Sequence, residues 1–339
     1  MFSSPIAFPL LSTIDNLSPS GSQARPISAF SSITFLLKIA RFSPKGSGFL
    51  SNTPELLQKT STTSQFNFLS IAGRILKFAP FVRKIFIVTD SQKPSFSGLE
   101  DLIVNNKVKV VDHKEIFKGY EKYLPTFNIR SIDAVLHRIE GLSEMFVYFN
   151  DDVFLIDKIH EEDWFVKDKV VLMGNWAKSY SVNPIKIVSE KFKKIIGARP
   201  SFNASQSKAG KISGFKKEYF KSYHTPRPQI KSLIKEFYDT NPEALIDQIK
   251  YKFRNSEQFM PYSLCWHLLI KENRAVIKGV KELKEVKQTQ NLNSNQIVSI
   301  LEKLDDTKEV KFLNIQDLNY ASKDVFMIFD KWMRKKLQV

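Results

Sequence analysis

The sequence predicts an α/β protein: an open, mostly parallel sheet with flanking helices, followed by a helical C-terminal part. Short apolar runs at 84–89, 107–111 and 147–149 read as buried strands. Each stops abruptly in polar residues: Asp90, then Asp112 and His113, then Asn150, Asp151 and Asp152. An amphipathic helix at 126–140 separates the second run from the third, and strand, strand, helix, strand is the order of an open α/β sheet. Ligands in such sheets bind beyond the carboxyl ends of the strands, where Asp90, His113 and Asp151 all fall.

Composition narrows the partners. With 339 residues, 42% hydrophobic and 25% charged, the chain has the make-up of a soluble globular protein with one large core or two modest ones. No apolar run reaches the roughly 18 residues of a transmembrane helix. The single cysteine, Cys265, excludes an internal disulfide framework and, between Leu264 and Trp266, reads as a small buried hydrophobe. A formal net charge of +16 calls for an anionic partner. The basic residues gather in 184–231 and again at Lys331, Arg334, Lys335 and Lys336. No helix-turn-helix, zinc-finger or base-stacking motif accompanies them, which argues against nucleic acid.

Taken in order, residues 1–65 are rich in Ser and Thr, hold only Asp15 and Glu55 as acids, and show no sustained periodicity. They read as a linker, a transit-peptide-like leader or a poorly ordered extension, with one short helix or strand candidate at 33–40. From 66 the pattern turns regular, and 66–183 forms the α/β core. Leu69, Ile71, Ala72, Ile75 and Leu76 mark a helix over 66–81 that stops near Pro80. The strand at 84–89 follows, then that at 107–111. Ile129, Ile132, Leu136 and Ile139 line one face of the helix at 126–140, and Gly141 stands where a helix stop belongs. A further strand is predicted at 170–173.

The third region, 184–339, is basic and mainly helical. Pro226 and Pro228 flank Arg227 and forbid a regular helix there, so His224 sits on a constrained loop. Helices are predicted at 229–238, 243–253, 259–271 and 295–304. The last residues, 325–337, mix Phe326, Ile328, Phe329, Trp332 and Met333 with four basic residues. That pattern suits either peripheral attachment to an anionic membrane or a terminal helix packed on the core.

The Asn150-Asp151-Asp152 break has two readings on residue chemistry alone. Adjacent carboxylates at the edge of a sheet are costly to bury without a partner, and hard Mg²⁺ is a common one. Equally, these residue types favour a simple turn.

The flanking sequence resembles the Stealth family of sugar-1-phosphate transferases. The resemblance lies in Phe81-Val82-Arg83-Lys84 through Thr89-Asp90, Leu124-Pro125-Thr126-Phe127-Asn128, Leu136-His137-Arg138-Ile139, Gly141-Leu142-Ser143-Glu144 and Tyr148-Phe149-Asn150-Asp151-Asp152. It runs almost continuously from about 66 to 176. A third block is similar at His224 with Pro226 and at Phe253-Arg254-Asn255-Ser256-Glu257, and the last block more weakly at Phe312 and Asp317, with Gln316 where the family has Asn. The first block, an Asp-containing strand running into a Trp-Val-Asp-Gly-like turn, has no counterpart in 1–65, and the first tryptophan is Trp164.

The resemblance implies a nucleotide-sugar transferase-like fold and transfer of a sugar-1-phosphate from a nucleotide-sugar donor to a hydroxyl of a capsular or surface polysaccharide acceptor. It implies Asp151 and Asp152, with Asp317, as ligands of Mg²⁺ or Mn²⁺. His224 becomes the general base, Arg254 a phosphate clamp, and Asn150, Asn128, Asp90 and Glu257 substrate-facing or supporting groups. It also places the chain in the cytoplasm, at the inner face of the bacterial cell membrane. Two alternatives stay open: an ordinary metal-dependent glycosyltransferase releasing nucleoside diphosphate, and an inactive family member lacking the first block.

Overall fold

The computed structural model describes residues 34–38, 71–91, 105–195 and 201–337, all within one unit, Ser32–Val339. Its first strand, β1 (Thr34–Lys38), enters the centre of the main sheet. Helix α1 (71–78) then leads to β2 (Lys84–Thr89) and β3 (Val108–Asp112). Asp112 caps the short α2 (His113–Ile116), and Asn128 caps α3 (Ile129–Val135), which ends in a 3-10 turn before Gly141. Gly141 takes φ +78°, the left-handed geometry that a helix stop requires and that glycine adopts without a side-chain clash.

Next comes β4 (Met145–Phe149), wholly buried, as the apolar run predicts. Strands β5 (Val153–Leu155), β6 (Phe165–Val166) and β7 (Lys169–Lys178) follow. Then come α4 (Pro184–Ile195), α5 (Phe202–Ile212), β8 (Glu218–Ser222), β9 (Arg227–Ile230), α6 (Lys231–Thr240), α7 (Pro242–Ile249) and α8 (Pro261–Lys271). The chain closes with β10 (Ala275–Lys278), β11 (Leu283–Val286), α9 (Ser294–Asp306), β12 (Phe312–Ile315) and α10 (Lys323–Leu337).

The main sheet has the order β3-β2-β1-β4-β9, parallel except for β9. The open, mostly parallel sheet predicted from the sequence is present. Two smaller sheets join it: β10-β7-β6, with β8 on β7, and β11-β12-β5. All four parallel strands of the main sheet end on one edge, which carries Asp90, Asp112 and Asn150.

Three expectations change. Residues 34–38 belong to the sheet and not to a leader, because β2 and β4 pair with them on either side; the rest of 1–65 lies outside the described residues. Residues 184–222, read only as basic sequence, form two helices and β8, and β9 follows the proline-bounded turn, ahead of the predicted helix; 274–289, for which no element was predicted, contributes β10 and β11. The terminal helix packs on the core: Val325, Phe329, Trp332 and Met333 are buried, and the Met333 carbonyl accepts from Arg74 at 2.6 Å. The buried Arg74 guanidinium also donates to Leu155 O at 2.9 Å, and burial pulls its pKa down to about 9. Cys265 is buried as expected, and its burial pushes the thiol up to about 12.

Candidate active site

The site forms where β4 ends. A buried apolar strand cannot continue into carboxylates, so the chain turns at Asn150–Asp152, with Val153 N–H donating to Asn150 O at 3.3 Å. The chain then continues as β5, which pairs antiparallel with β12. In that pairing Asn314 stands opposite Val153, Ile315 N–H donates to Asp152 O at 2.9 Å, and the Asn314 amide donates to the same carbonyl at 3.0 Å. These two bonds fix the backbone of the second carboxylate.

The other wall is the β8–β9 turn. Tyr148 on β4 stands opposite Arg227 on β9, so the residues just before Arg227 reach the end of β4. There His224 Nδ1 lies 3.3 Å from Asp152 Oδ2, and the imidazole packs against Phe202 with ring centroids 5.5 Å apart. The contact is long for a hydrogen bond, and its geometry does not make one. Nε2 is the ring nitrogen not facing the carboxylate.

Burial alone would raise the Asp152 carboxyl. His224, the Asn314 amide and the charge of Arg227 outweigh it and hold the group below the usual carboxylate range. Asp152 is therefore an anion across the working range of pH. Its Oδ1 is buried and has no hydrogen-bond partner among the described residues.

Arg227 is the residue that the sequence reading missed. It is buried, its guanidinium lies 4.0 Å from the Tyr262 ring centroid and 5.4 Å from that of Tyr148, and Nη1 donates to Asn150 Oδ1 at 3.2 Å. Two aromatic faces and a fixed amide make it a rigid cation at the edge of the acid pair. The available signal was an arginine locked between Pro226 and Pro228, where φ is constrained and a floppy surface role is disfavoured.

The structure brings some predicted site residues together and not others. Asn150, Asp151, Asp152 and His224 share the end of β4, with Asp151 exposed toward solvent. Asp317 follows β12 in a left-handed turn; continuing the β12–β5 register past Ile315 carries the chain toward the same turn. Asp90 ends β2 on the same edge, but β1 intervenes, which sets it two strand spacings from Asn150, roughly 10 Å.

Asn128 is corrected. It is fully buried, and its amide donates to Tyr251 O, Phe253 O and Gln258 Oε1 at 3.1, 2.8 and 2.8 Å, while Oδ1 caps α3 through Arg130 N–H. A group so fully committed holds the 251–258 loop and does not face substrate. That loop carries Arg254, half-buried, and Glu257, which pairs with Lys208 at 3.2 Å.

A divalent cation fits the acid pair in one respect: the ionised, half-buried Asp152 carboxylate has Oδ1 without a hydrogen-bond partner among the described residues, while Oδ2 faces His224. Among the described residues no group of three or more His, Cys, Asp or Glu could hold a metal by itself. The donor set suits Mg²⁺ or Mn²⁺ held by one or two carboxylates plus substrate phosphates, and not an all-protein cage.

Comparison with known proteins adds to this geometry. Residues 63–173 match the family region described as Stealth protein CR2, conserved region 2. The chain is similar to the capsular polysaccharide phosphotransferase cps12A of Actinobacillus pleuropneumoniae: 32% identity over 208 residues, 60% of this chain and 52% of that protein. It is also similar to the capsular polysaccharide phosphotransferase LcbA of Neisseria meningitidis: 27% identity over 233 residues, 65% of this chain and 62% of that protein. Against the receptor polysaccharide phosphotransferase WefC of Streptococcus oralis it is 45% identical over 92 residues, 27% of this chain and 26% of that protein. The chain thus spans between about a quarter and 62% of the length of these relatives. Among solved structures, the galactosyltransferase LgtC with donor and acceptor sugar analogues superposes with a TM-score of 0.40 at 10% identity, covering 91% of this chain and 95% of that one.

Proposed function

We propose that the chain, whose residues 63–173 match the second conserved region of the Stealth family, transfers a sugar-1-phosphate from a nucleotide-sugar to a hydroxyl of a growing capsular or surface polysaccharide. The observation that carries this reading is the Asp152–His224 contact of 3.3 Å at the carboxyl end of β4. An ionised carboxylate facing an imidazole whose outer nitrogen is turned away from it is the apparatus for deprotonating an acceptor hydroxyl.

In the proposed step His224 Nε2 takes the acceptor proton as the hydroxyl oxygen attacks the phosphorus that bears the sugar. The new oxygen–phosphorus bond forms a phosphodiester, the bond to the other phosphate breaks, and nucleoside monophosphate leaves. Such a reaction depends on positioning and charge neutralisation more than on covalent help. Asp152 orients and stabilises the imidazolium. Arg227 keeps Asn150 and the acid pair in place, and Arg254 supplies a fork for a phosphate oxygen. Asp151 and Asp152, with Asp317, would hold Mg²⁺ or Mn²⁺, which when bound neutralises diphosphate charge as a Lewis acid. Work at the inner face of the bacterial membrane completes the proposal.

A panel of nucleotide-sugars, assayed with a phosphate-containing capsule oligosaccharide, tests the reading. Release of nucleoside monophosphate is expected, abolished by chelation, restored by Mg²⁺ or Mn²⁺, and lost in Asp151→Ala and Asp152→Ala. Nucleoside diphosphate as the released species would move the protein to the ordinary glycosyltransferases.

A further inference from the structure

Helix α4 breaks the rule that the other long helices obey. In α9, Ile297, Leu301 and Leu304 turn inward and are buried, as α10 does with Val325, Phe329 and Met333. In α4 the apolar stripe turns outward: Ile185 is 81% exposed, Val188 66%, Phe192 59% and Ile195 81%, with Val182 just before the helix at 51%. Spacings of three, four and three residues put the four helical ones on one face, with Val182 in the turn just before it. Scattered exposed apolar residues need no explanation, but a continuous stripe of four marks an interaction surface. On its other side the helix borders an open cavity of about 370 Å³, lined among others by Lys186, Ile187, Glu190, Ala204 and Lys208.

Charge identifies the occupant. Lys191 on the helix and Lys178, Lys216 and Lys217 on the neighbouring segments are exposed, as is one acid, Glu218, in register with Lys178. The 216–217 segment is held beside the start of α4 by Ser179 N–H to Lys217 O at 2.9 Å and Ser181 Oγ to Lys216 O at 3.3 Å. The one acid in the helix, Glu190, is neutralised by Lys193 at 2.8 Å. An apolar stripe with basic flanks on a helix of twelve residues is the arrangement that lies flat in the headgroup region of an anionic bilayer. The lysine stems lie along the acyl boundary while their ammonium groups meet phosphates.

We propose that α4, and not the C-terminal helix, is the element that docks this protein on an anionic lipid surface. The docking is independent of the reaction proposed above. The test mixes the full chain with phosphatidylethanolamine vesicles containing phosphatidylglycerol, and separately with pure phosphatidylcholine vesicles, and measures the fraction that sediments with lipid. Binding to the anionic vesicles alone is expected, weakening with salt. Lys191→Gln is expected to lower the partition coefficient by about fivefold. Val188→Asp with Phe192→Asp is expected to abolish binding while the far-ultraviolet circular dichroism stays unchanged. The indole introduced by Phe192→Trp should shift its emission to the blue on anionic vesicles and be quenched by brominated lipid. Failure to bind anionic vesicles, equal binding to both kinds, or unchanged binding of the Asp variants would overturn the proposal. So would an oligomer that the Asp variants convert to monomer without any dependence on lipid, which would assign the stripe to a second copy. Vesicle binding needs neither donor nor acceptor, so its failure leaves the proposed reaction untouched.

Discussion

Replacing Asn128 by Ala should cost stability and not substrate affinity. The structure gives the size of the loss. Oδ1 caps α3 through Arg130 N–H at 3.1 Å, a contact worth about 1 kcal/mol at a helix N-terminus. Nδ2 donates toward Tyr251 O, Phe253 O and Gln258 Oε1; Ser131 Oγ and Asn255 N–H still serve the first and third when it is removed, so the loss falls on Phe253 O, at about 1–3 kcal/mol. Together the substitution should cost about 3 kcal/mol. Asn128→Asp keeps the cap but points a carboxylate at those oxygens, so it should cost at least as much. Urea unfolding followed by tryptophan emission is the assay; with a slope of about 3 kcal/mol per molar, the midpoint should fall by about 1 M. A midpoint unchanged within about 0.2 M together with a raised KM for the donor would refute the reasoning and return Asn128 to the substrate-facing role that the sequence suggested.

Other expectations follow from the same contacts. Arg227→Lys keeps the charge but loses the planar stack and the fixed Asn150 contact, and should lower turnover by about 10–100-fold, read by steady-state kinetics with a folded-state control. A methyl group at Gly210 would meet His267 Nε2 and Tyr219 Cβ, each at 2.9 Å, so Gly210→Ala should cost about 1–3 kcal/mol in thermal unfolding. His267 is neutral because Phe220 N–H donates to Nε2 at 2.9 Å while Nδ1 donates to Ser263 O at 2.6 Å, and burial pushes its pKa down to about 4. A depressed imidazole stabilises the fold above its unfolded value near 6.5 and loses that contribution as pH falls toward 4. Unfolding free energy should therefore drop across that window, and His267→Gln should remove about half of the slope, the rest belonging to His137, which burial also holds near 4.

How far the chain could be read without its structure depended on whether the signal was local. The runs that become β2, β3 and β4 end in acids within one or two residues, so strand and site edge were legible together. Gly141 was legible as a stop because its positive φ is a property of one residue. His224 was legible from the proline-bounded turn and the family resemblance, although only the pairing of β9 with β4 shows why that turn meets Asp152. Asn128 misled because its partners lie more than 120 residues away; a polar residue before a helix looks the same whether its amide faces a ligand or a distant loop. Arg227 was hidden because a cation reads as surface until Tyr148 and Tyr262 are seen to enclose it. In α4 the helical period was present, but nothing local states which face meets the core. The strand β1 lay in a Ser/Thr-rich stretch and gains its place from neighbours on both sides.

The central claim is that the phosphorus travels with the sugar. A nucleotide-sugar carrying ³²P at the phosphate next to the sugar decides it in one measurement on the acceptor polymer. Label incorporated into the polymer, and lost in His224→Gln and Asp152→Asn, is the expected result. Label recovered wholly in released nucleoside diphosphate, with the sugar transferred unlabelled, would contradict it.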